Sequence, residues 1–267
     1  MKIAVIGGGN MGYAFSKSFI DKGLITADDL VIVEKNEFRC NFLRAQGIAQ
    51  IANYFDNDIA LCDFVVLAVK PQSFTEVAEE LKVFITPSQT IISIMAGVNV
   101  DTIKTALGTS KIVRVMPNTP AVIGEGVSGY YIAGDLSIYD KDAVRKLLKS
   151  CGGAVEVSSE KDINAVTAIS GSGPAYFFNF VKLLVESGTN LGIDEDKVKT
   201  LVLKTMKGSY ELMAQSTDDF QTLIDNVTSK GGTTQAALET FSAYHLDETI
   251  EKAINAANNR ADELSKM

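Results

Sequence analysis

The feature that most restricts the fold of this chain is the regular exchange of short apolar runs with helical stretches through its first half. Runs at Ile3–Ile6, Leu30–Val33, 64–69, 90–94 and 111–116 are rich in Val and Ile and carry few polar residues. Such runs belong to strands covered on both faces, so the alternation predicts a parallel sheet with helices on either side. Gly126–Ala133 and 154–157 read as further strands flanking a helix over 137–150. Beyond about Ser158 the strand signal ends. Stretches 175–187, 194–214, Phe220–Asn226 and a long segment from Thr233 onward read as helices punctuated by caps and glycines. The expected class is α/β, with a doubly wound N-terminal domain over 1–157 followed by an all-helical domain over 158–267.

Composition removes several kinds of function. With 33 acidic against 25 basic residues the net charge is −8, whereas nucleic-acid binding needs clustered Lys and Arg. No nucleic-acid partner is expected, and any anionic ligand must be held by local features. No apolar run reaches the roughly 18 to 20 residues of a membrane span, and the chain opens on a strand without a leader-like stretch, so a cytoplasmic, membrane-free protein is expected. Cys40, Cys62 and Cys151 are odd in number and far apart, which suits neither a disulfide framework nor a thiolate metal site. His245 is the only histidine. A histidine-based metal centre or triad would rest on that one residue, and no metal is expected.

Lys2–Ile6 leads into Gly7-Gly8-Gly9-Asn10-Met11-Gly12 and then a helical stretch. In a strand, G-x-G-x-x-G, helix arrangement the first glycine permits a tight turn and the second lets backbone approach a pyrophosphate. The third lets helix pack on strand, and the phosphates meet the helix N-terminus. The alternative is a plain glycine turn. The second strand ends at Glu34, where a carboxylate accepts hydrogen bonds from an adenosine ribose and repels a 2′-phosphate. That favours NADH, although Lys35 and Arg39 follow closely and NADPH stays open.

Four of the five prolines stand in compact motifs: Ala68-Val69-Lys70-Pro71, Met116-Pro117-Asn118-Thr119-Pro120 and Ser170-Gly171-Ser172-Gly173-Pro174-Ala175-Tyr176. The first two follow strand ends, where open α/β sheets bind ligands. A fourth motif, Asn226-Val227-Thr228-Ser229-Lys230-Gly231-Gly232-Thr233-Thr234, precedes a helix and suits an anion loop, or else an ordinary cap by Thr233 or Thr234. The helix after Pro174 leaves almost no polar face, and a helical domain of this size cannot cover it, so a homodimer through the C-terminal domains is expected.

Taken in this order, GGGNMG, AVKP, MPNTP, SGSGPAY and NVTSKGGTT resemble the pyrroline-5-carboxylate reductase family from Lys2 to about Leu264. The resemblance implies a Rossmann domain with a helical dimerisation domain, dimers that assemble into decamers, and reduction of 1-pyrroline-5-carboxylate to L-proline by NADH or NADPH. Carried over, it implies that Ile6, Gly7, Gly8, Gly9, Asn10 and Met11 contact the pyrophosphate and that Glu34 lies beside the ribose. It places Ala68, Val69, Lys70, Pro71, Ala96 and Gly97 on the nicotinamide side, with Asn226 also reaching the cofactor. Glu160, the backbone of Ser229, Lys230, Gly231, Gly232 and Thr233, and Thr234 would hold the substrate, a small imine carboxylate.

Departures from the pattern are Lys230 where many relatives have proline, Thr217 where some have a glutamate, and Glu34 where NADPH users carry Ser or Thr. An asparagine before the fourth strand is assignable to neither Asn53 nor Asn57. An already protonated imine needs no strong general acid, so Thr234 is expected to orient it by a hydrogen bond to the ring nitrogen. Lys70 is open between a cofactor contact, a proton donor and a loop lysine. The competing functions are a β-hydroxyacid dehydrogenase of the 6-phosphogluconate type and a non-catalytic dinucleotide sensor.

Overall fold

The computed structural model describes residues 1–48 and 50–266. Its contacts divide into two compact units, Met1–Pro174 with Ala256–Met267, and Ala175–Asn255.

Among the described residues the first unit holds eight strands: β1 (Ile3–Ile6), β2 (Leu30–Val33), β3 (Gln50–Ala52), β4 (Phe64–Leu67), β5 (Thr90–Ser93), β6 (Ile112–Met116), β7 (Gly126–Ala133) and β8 (Gly152–Glu156). They form one sheet in the order β3-β2-β1-β4-β5-β6-β7-β8. Helices α1 (Asn10–Asp21), α2 (Glu37–Ala45), α3 (Phe74–Leu81), α4 (Val100–Leu107) and α5 (Ile138–Lys149) connect the strands. Period-two alternation sorts the strand side chains into two cores. Ile3 and Val5 pack with Phe15 and Phe19 of α1 and Leu147 of α5. Ala4 and Ile6 pack with Phe74 and Leu81 of α3 and Ile103 of α4. The sheet is therefore covered on both faces, as the apolar runs require.

One strand departs from the expected parallel sheet. β7 runs antiparallel to β6. The link between them is a single 3-10 turn, Thr119–Ile123, and a parallel return needs a crossover of a dozen residues or more. β8 then pairs parallel to β7 after the α5 crossover. The short edge strand β3 was not anticipated.

Strand content would divide the chain at 157/158, yet the contacts keep 158–174 with the sheet. In α6 (Asp162–Val166) Ile163 is fully buried, and Ala168 just beyond it is too. A Cβ at Gly129 of β7 would come within 2.5 Å of Val166, so this segment lies directly on the sheet. From α6 the helix continues through a π-helical turn, Thr167–Gly171, into α7 (Gly173–Asn190). The Ser170–Tyr176 motif thus sits inside a helical run and does not precede one. The end of α11 (Leu246–Leu264) also belongs to this unit: Asn99 Nδ2 donates to the Ser265 carbonyl at 3.1 Å.

The second unit contains most of α7, α8 (Glu195–Gln215), α9 (Phe220–Asn226) and α10 (Thr233–Ala243). α7 and α8 meet closely where Gly188 faces Val198. Otherwise the helices lack cover. Val198 is the one buried residue of α8, and α9 and α10 have none. Phe177 and Phe178 are 59% and 66% exposed, and an apolar groove of about 590 Å³ runs past Phe180, Leu184, Leu201 and Met213.

Candidate functional site

The strand order reverses at β1, which has β2 on one side and β4 on the other. In doubly wound sheets the ligand crevice opens at the carboxyl ends of the strands at such a point. Here those ends are Gly7, after β1, and Ala68, after β4. The Gly7 N–H donates to the Val33 carbonyl at 2.8 Å and the Ala68 N–H to the Ile6 carbonyl at 2.8 Å, so the two loops are tied to the sheet.

The glycines play the parts their spacing suggests. Gly7 has φ +104°, and a Cβ there would meet the Ala68 carbonyl; at Gly12 it would strike the Gly7 carbonyl oxygen. Nothing lies within 4 Å of a Cβ placed at Gly9. That open face is where a pyrophosphate can approach backbone. Gly9 is also the N-cap of α1, and no side chain caps this helix. Five other helix starts are closed by side chains, with Asn36 capping α2, Asn99 α4, Ser137 α5, Asp194 α8 and Asp219 α9, while α3 and α6, like α1, have no side-chain cap but start without a glycine. The first-turn N–H groups of α1 are left for an anion.

A cleft of about 390 Å³ lies against this loop, lined by Ile6, Gly7, Gly9, Val33, Glu34, Lys35, Asn36, Phe55, Ala68, Val69, Lys70, Ser73 and Val77. Seven of the expected cofactor residues are among them. Gly8 is buried behind the loop, Asn10 and Met11 form the first turn of α1, and Pro71 opens a 3-10 turn. Ala96 and Gly97 are outside the cleft lining, and Gly97, with φ +75°, packs against Leu264. Phe55 and Ser73 were not foreseen. Neither stands in a motif, and only the folding of the β3–β4 link and of the turn after Pro71 brings them to the cleft.

Glu34 is fixed at both oxygens: Oε2 accepts the Gly8 N–H at 2.9 Å and Oε1 the Asn36 N–H at 2.8 Å. The two neighbouring cations are engaged. Lys35 Nζ lies 2.9 Å from Glu80 and 3.7 Å from Glu76, and its hydrogen bond to Glu80 raises its pKa. Arg39 Nε donates to the Gly8 carbonyl. Lys70 is exposed at the cleft rim. These residues fit a nicotinamide dinucleotide: an open helix start for the pyrophosphate, a carboxylate at the second strand end for the ribose, and a cleft at the switch point.

Elsewhere in the first unit, Glu160 Oε1 accepts from both the Arg114 Nη1 and the Val100 N–H at 2.8 Å. Arg114 is 2% exposed, and its Nε has no partner. Gly171 touches Met116, the start of the Met116–Pro120 motif, so two of the proline motifs adjoin.

In the second unit the Ser229–Thr234 loop has the same character as the first glycine loop. The N-cap of α10 is Gly232, with no side-chain cap, so neither Thr233 nor Thr234 plays that part. Gly231 has φ +73° and its N–H is taken by Gln235 Oε1 at 2.7 Å. The Gly232 N–H donates to the Ser229 carbonyl at 3.0 Å. The loop is braced from within, and the N–H groups opening α10 face outward with the helix dipole behind them. Thr234 is half-buried and Asn226 exposed. His245 lies at the α10–α11 junction with φ 55°, 70% exposed beside Glu248.

A doubly wound sheet with an open glycine helix start, a carboxylate at the next strand end and a helical second unit defines a nicotinamide-dinucleotide-dependent oxidoreductase. Comparison with known proteins narrows this. Residues 160–264 match the family described as pyrroline-5-carboxylate reductase dimerisation, and residues 2–97 that described as NADP oxidoreductase, coenzyme F420-dependent. The chain is 35% identical to a pyrroline-5-carboxylate reductase of Staphylococcus aureus, covering 100% of this chain and 99% of that protein. It is 36% identical to one of Haemophilus influenzae, covering 99% and 98%. The solved structure of a pyrroline-5-carboxylate reductase from Coxiella burnetii superposes with a TM-score of 0.91 at 32% identity, covering 100% of this chain and 99% of that one. A Plasmodium falciparum pyrroline carboxylate reductase with NADP bound gives 0.86 at 31%, covering 99% and 98%. The chain belongs to the pyrroline-5-carboxylate reductase family.

Proposed function

We propose that this protein reduces 1-pyrroline-5-carboxylate to L-proline, the last step of proline biosynthesis, and that it favours NADH over NADPH. The observation that carries the reading is the pair of glycine-capped helix starts without side-chain caps, at Gly9 and Gly232. They allow a chain of net charge −8 to hold a pyrophosphate and a carboxylate by backbone N–H groups.

When bound, the nicotinamide cofactor supplies hydride to the imine carbon. Ile6 to Met11 are the proposed pyrophosphate contacts, Glu34 the ribose contact, and Ala68–Pro71, Ala96, Gly97 and Asn226 the further cofactor contacts. In the Ser229–Thr233 loop the N–H groups not already taken by Gln235 and the Ser229 carbonyl hold the substrate carboxylate, and Thr234 accepts the proton-bearing ring nitrogen's hydrogen bond. Glu160 keeps its second carboxylate oxygen for the substrate. Because the iminium arrives protonated, the residues need only hold and align it; orientation of that kind lowers barriers by about 7–11 kcal/mol in well-aligned systems. Glu34 supports the NADH preference: its carboxylate is committed to the Gly8 and Asn36 N–H groups, so a 2′-phosphate would meet a fixed negative charge.

A homodimer is part of the proposal, supported by the uncovered faces of α7 and α8; a decamer of such dimers is the further assembly. Three buried free cysteines suit the reducing cytoplasm. The activity test follows NADH oxidation with 1-pyrroline-5-carboxylate and with no substrate, and NAD+ reduction with a β-hydroxy acid. Turnover restricted to the imine, with proline as product, supports the proposal. Turnover with the hydroxy acid, or NADH binding without turnover, refutes it in favour of a β-hydroxyacid dehydrogenase or a sensor.

A further inference from the structure

Gly8 is held through both of its backbone polar groups, and the second grip comes from a residue outside every sequence motif. Its N–H is held by Glu34 Oε2 at 2.9 Å, and its carbonyl accepts from Arg39 Nε. Arg39 is itself seated on an aromatic shelf, with its guanidinium carbon 4.4 Å from the Phe42 ring centre and 5.8 Å from that of Tyr13. The two rings meet edge to face at 5.2 Å, and the Tyr13 hydroxyl donates to Gln46 Oε1. Gly8 has no room to move toward α2, since even a Cβ would come within 2.5 Å of Leu43.

We infer that Arg39 is a positioning residue for the dinucleotide. It acts through the Gly8 carbonyl to hold the glycine loop in its binding shape before the ligand arrives, and it does not read a nucleotide phosphate. A loop ordered in advance loses no conformational freedom on binding, so the clamp strengthens binding of any dinucleotide equally. The planar guanidinium is needed for this: it stacks on Phe42 while pointing Nε–H at a carbonyl, and a lysine ammonium cannot do both at once. This inference rests on the dinucleotide site proposed above.

The test is fluorescence titration of the purified protein with NADH, NADPH and ADP-ribose, without imine, for the unaltered chain, Arg39→Met, Arg39→Lys and Phe42→Leu. The expected result is dissociation constants raised about tenfold for all three ligands in both Arg39 variants, and raised in the same direction for Phe42→Leu. The melting temperature and the kcat at saturating NADH should stay as in the unaltered chain. Rescue by Arg39→Lys, a selective loss of NADPH binding, or unchanged binding would overturn the clamp. If Arg39→Met fails to fold, Phe42→Leu and Arg39→Lys carry the decision. Failure of the unaltered chain to bind any of the ligands would instead overturn the dinucleotide site itself.

Discussion

Replacing Arg114 by Met should destabilise the sheet unit measurably, and the structure fixes the size of the effect. The guanidinium is 2% exposed and lies 2.8 Å from Glu160 Oε1, which also takes the Val100 N–H at the start of α4. Two unit charges about 4 Å apart at an effective dielectric near 20 attract by about 4 kcal/mol. The Glu160 side chain keeps 29% of its exposure, so water recovers part of the loss and the net cost falls to about 2 kcal/mol. Met fills the arginine stem and adds no buried polar atom. At about 2–4 °C per kcal/mol the melting temperature should drop by about 4–8 °C. The double variant Arg114→Met/Glu160→Gln removes the stranded charge and the buried unpartnered Nε together, and should regain most of the loss. Differential scanning calorimetry of the two single variants and the double closes a thermodynamic cycle. A drop below about 1 °C for Arg114→Met, or a double variant worse than the sum of the singles, would refute the reasoning.

The other expectations are more local. Glu34→Ser removes the charge that opposes a 2′-phosphate and should raise the NADPH-to-NADH ratio of kcat/KM at least tenfold, equivalent to about 1.4 kcal/mol; an unchanged ratio in steady-state assays contradicts the ribose-side role. Thr234→Ala should lower kcat/KM for the imine by about 10- to 100-fold and leave the NADH dissociation constant unaltered; unaltered imine kinetics remove Thr234 from the site. Burial, reinforced by Asp63, pushes the Cys62 thiol up to about 11. Because the folded value exceeds the free-thiol one, its stabilising contribution is whole below pH about 9 and is lost as pH rises through about 11. Mass spectrometry after iodoacetamide at pH 8 should find Cys62 unmodified in folded protein and modified in urea. Leu184→Asp, in the uncovered groove of α7 and α8, should turn a dimer into a monomer in analytical ultracentrifugation; a dimer that persists places the interface elsewhere.

What could be read from the sequence was what sterics and periodicity write locally. The strand-and-helix alternation carried the sheet because strands with two buried faces must be apolar throughout. Gly7, Gly9 and Gly12 could be assigned turn, open face and packing contact from spacing alone. The orientation of β7 could not, since it depends on the length of a turn, Thr119–Ile123, that overlaps the Met116–Pro120 motif. β3 has three half-exposed or exposed residues and no period to detect. The Arg114–Glu160 pair joins residues 46 apart, and Arg39 meets Gly8 across 31; such pairings are made by topology and leave no mark on neighbouring positions. The open cap of α10 lay between the two. The sequence favoured a free anion loop and kept a threonine cap as its alternative, and the backbone, with Gly232 as the cap, separates them.

The most direct test of the account is the ratio of kcat/KM for NADH and NADPH with 1-pyrroline-5-carboxylate as substrate. The proposed function predicts imine-dependent oxidation, and the fixed carboxylate of Glu34 with the engaged side chains of Lys35 and Arg39 predicts that NADH is favoured at least tenfold, about 1.4 kcal/mol. No imine-dependent oxidation with either cofactor, or a preference for NADPH, would contradict it.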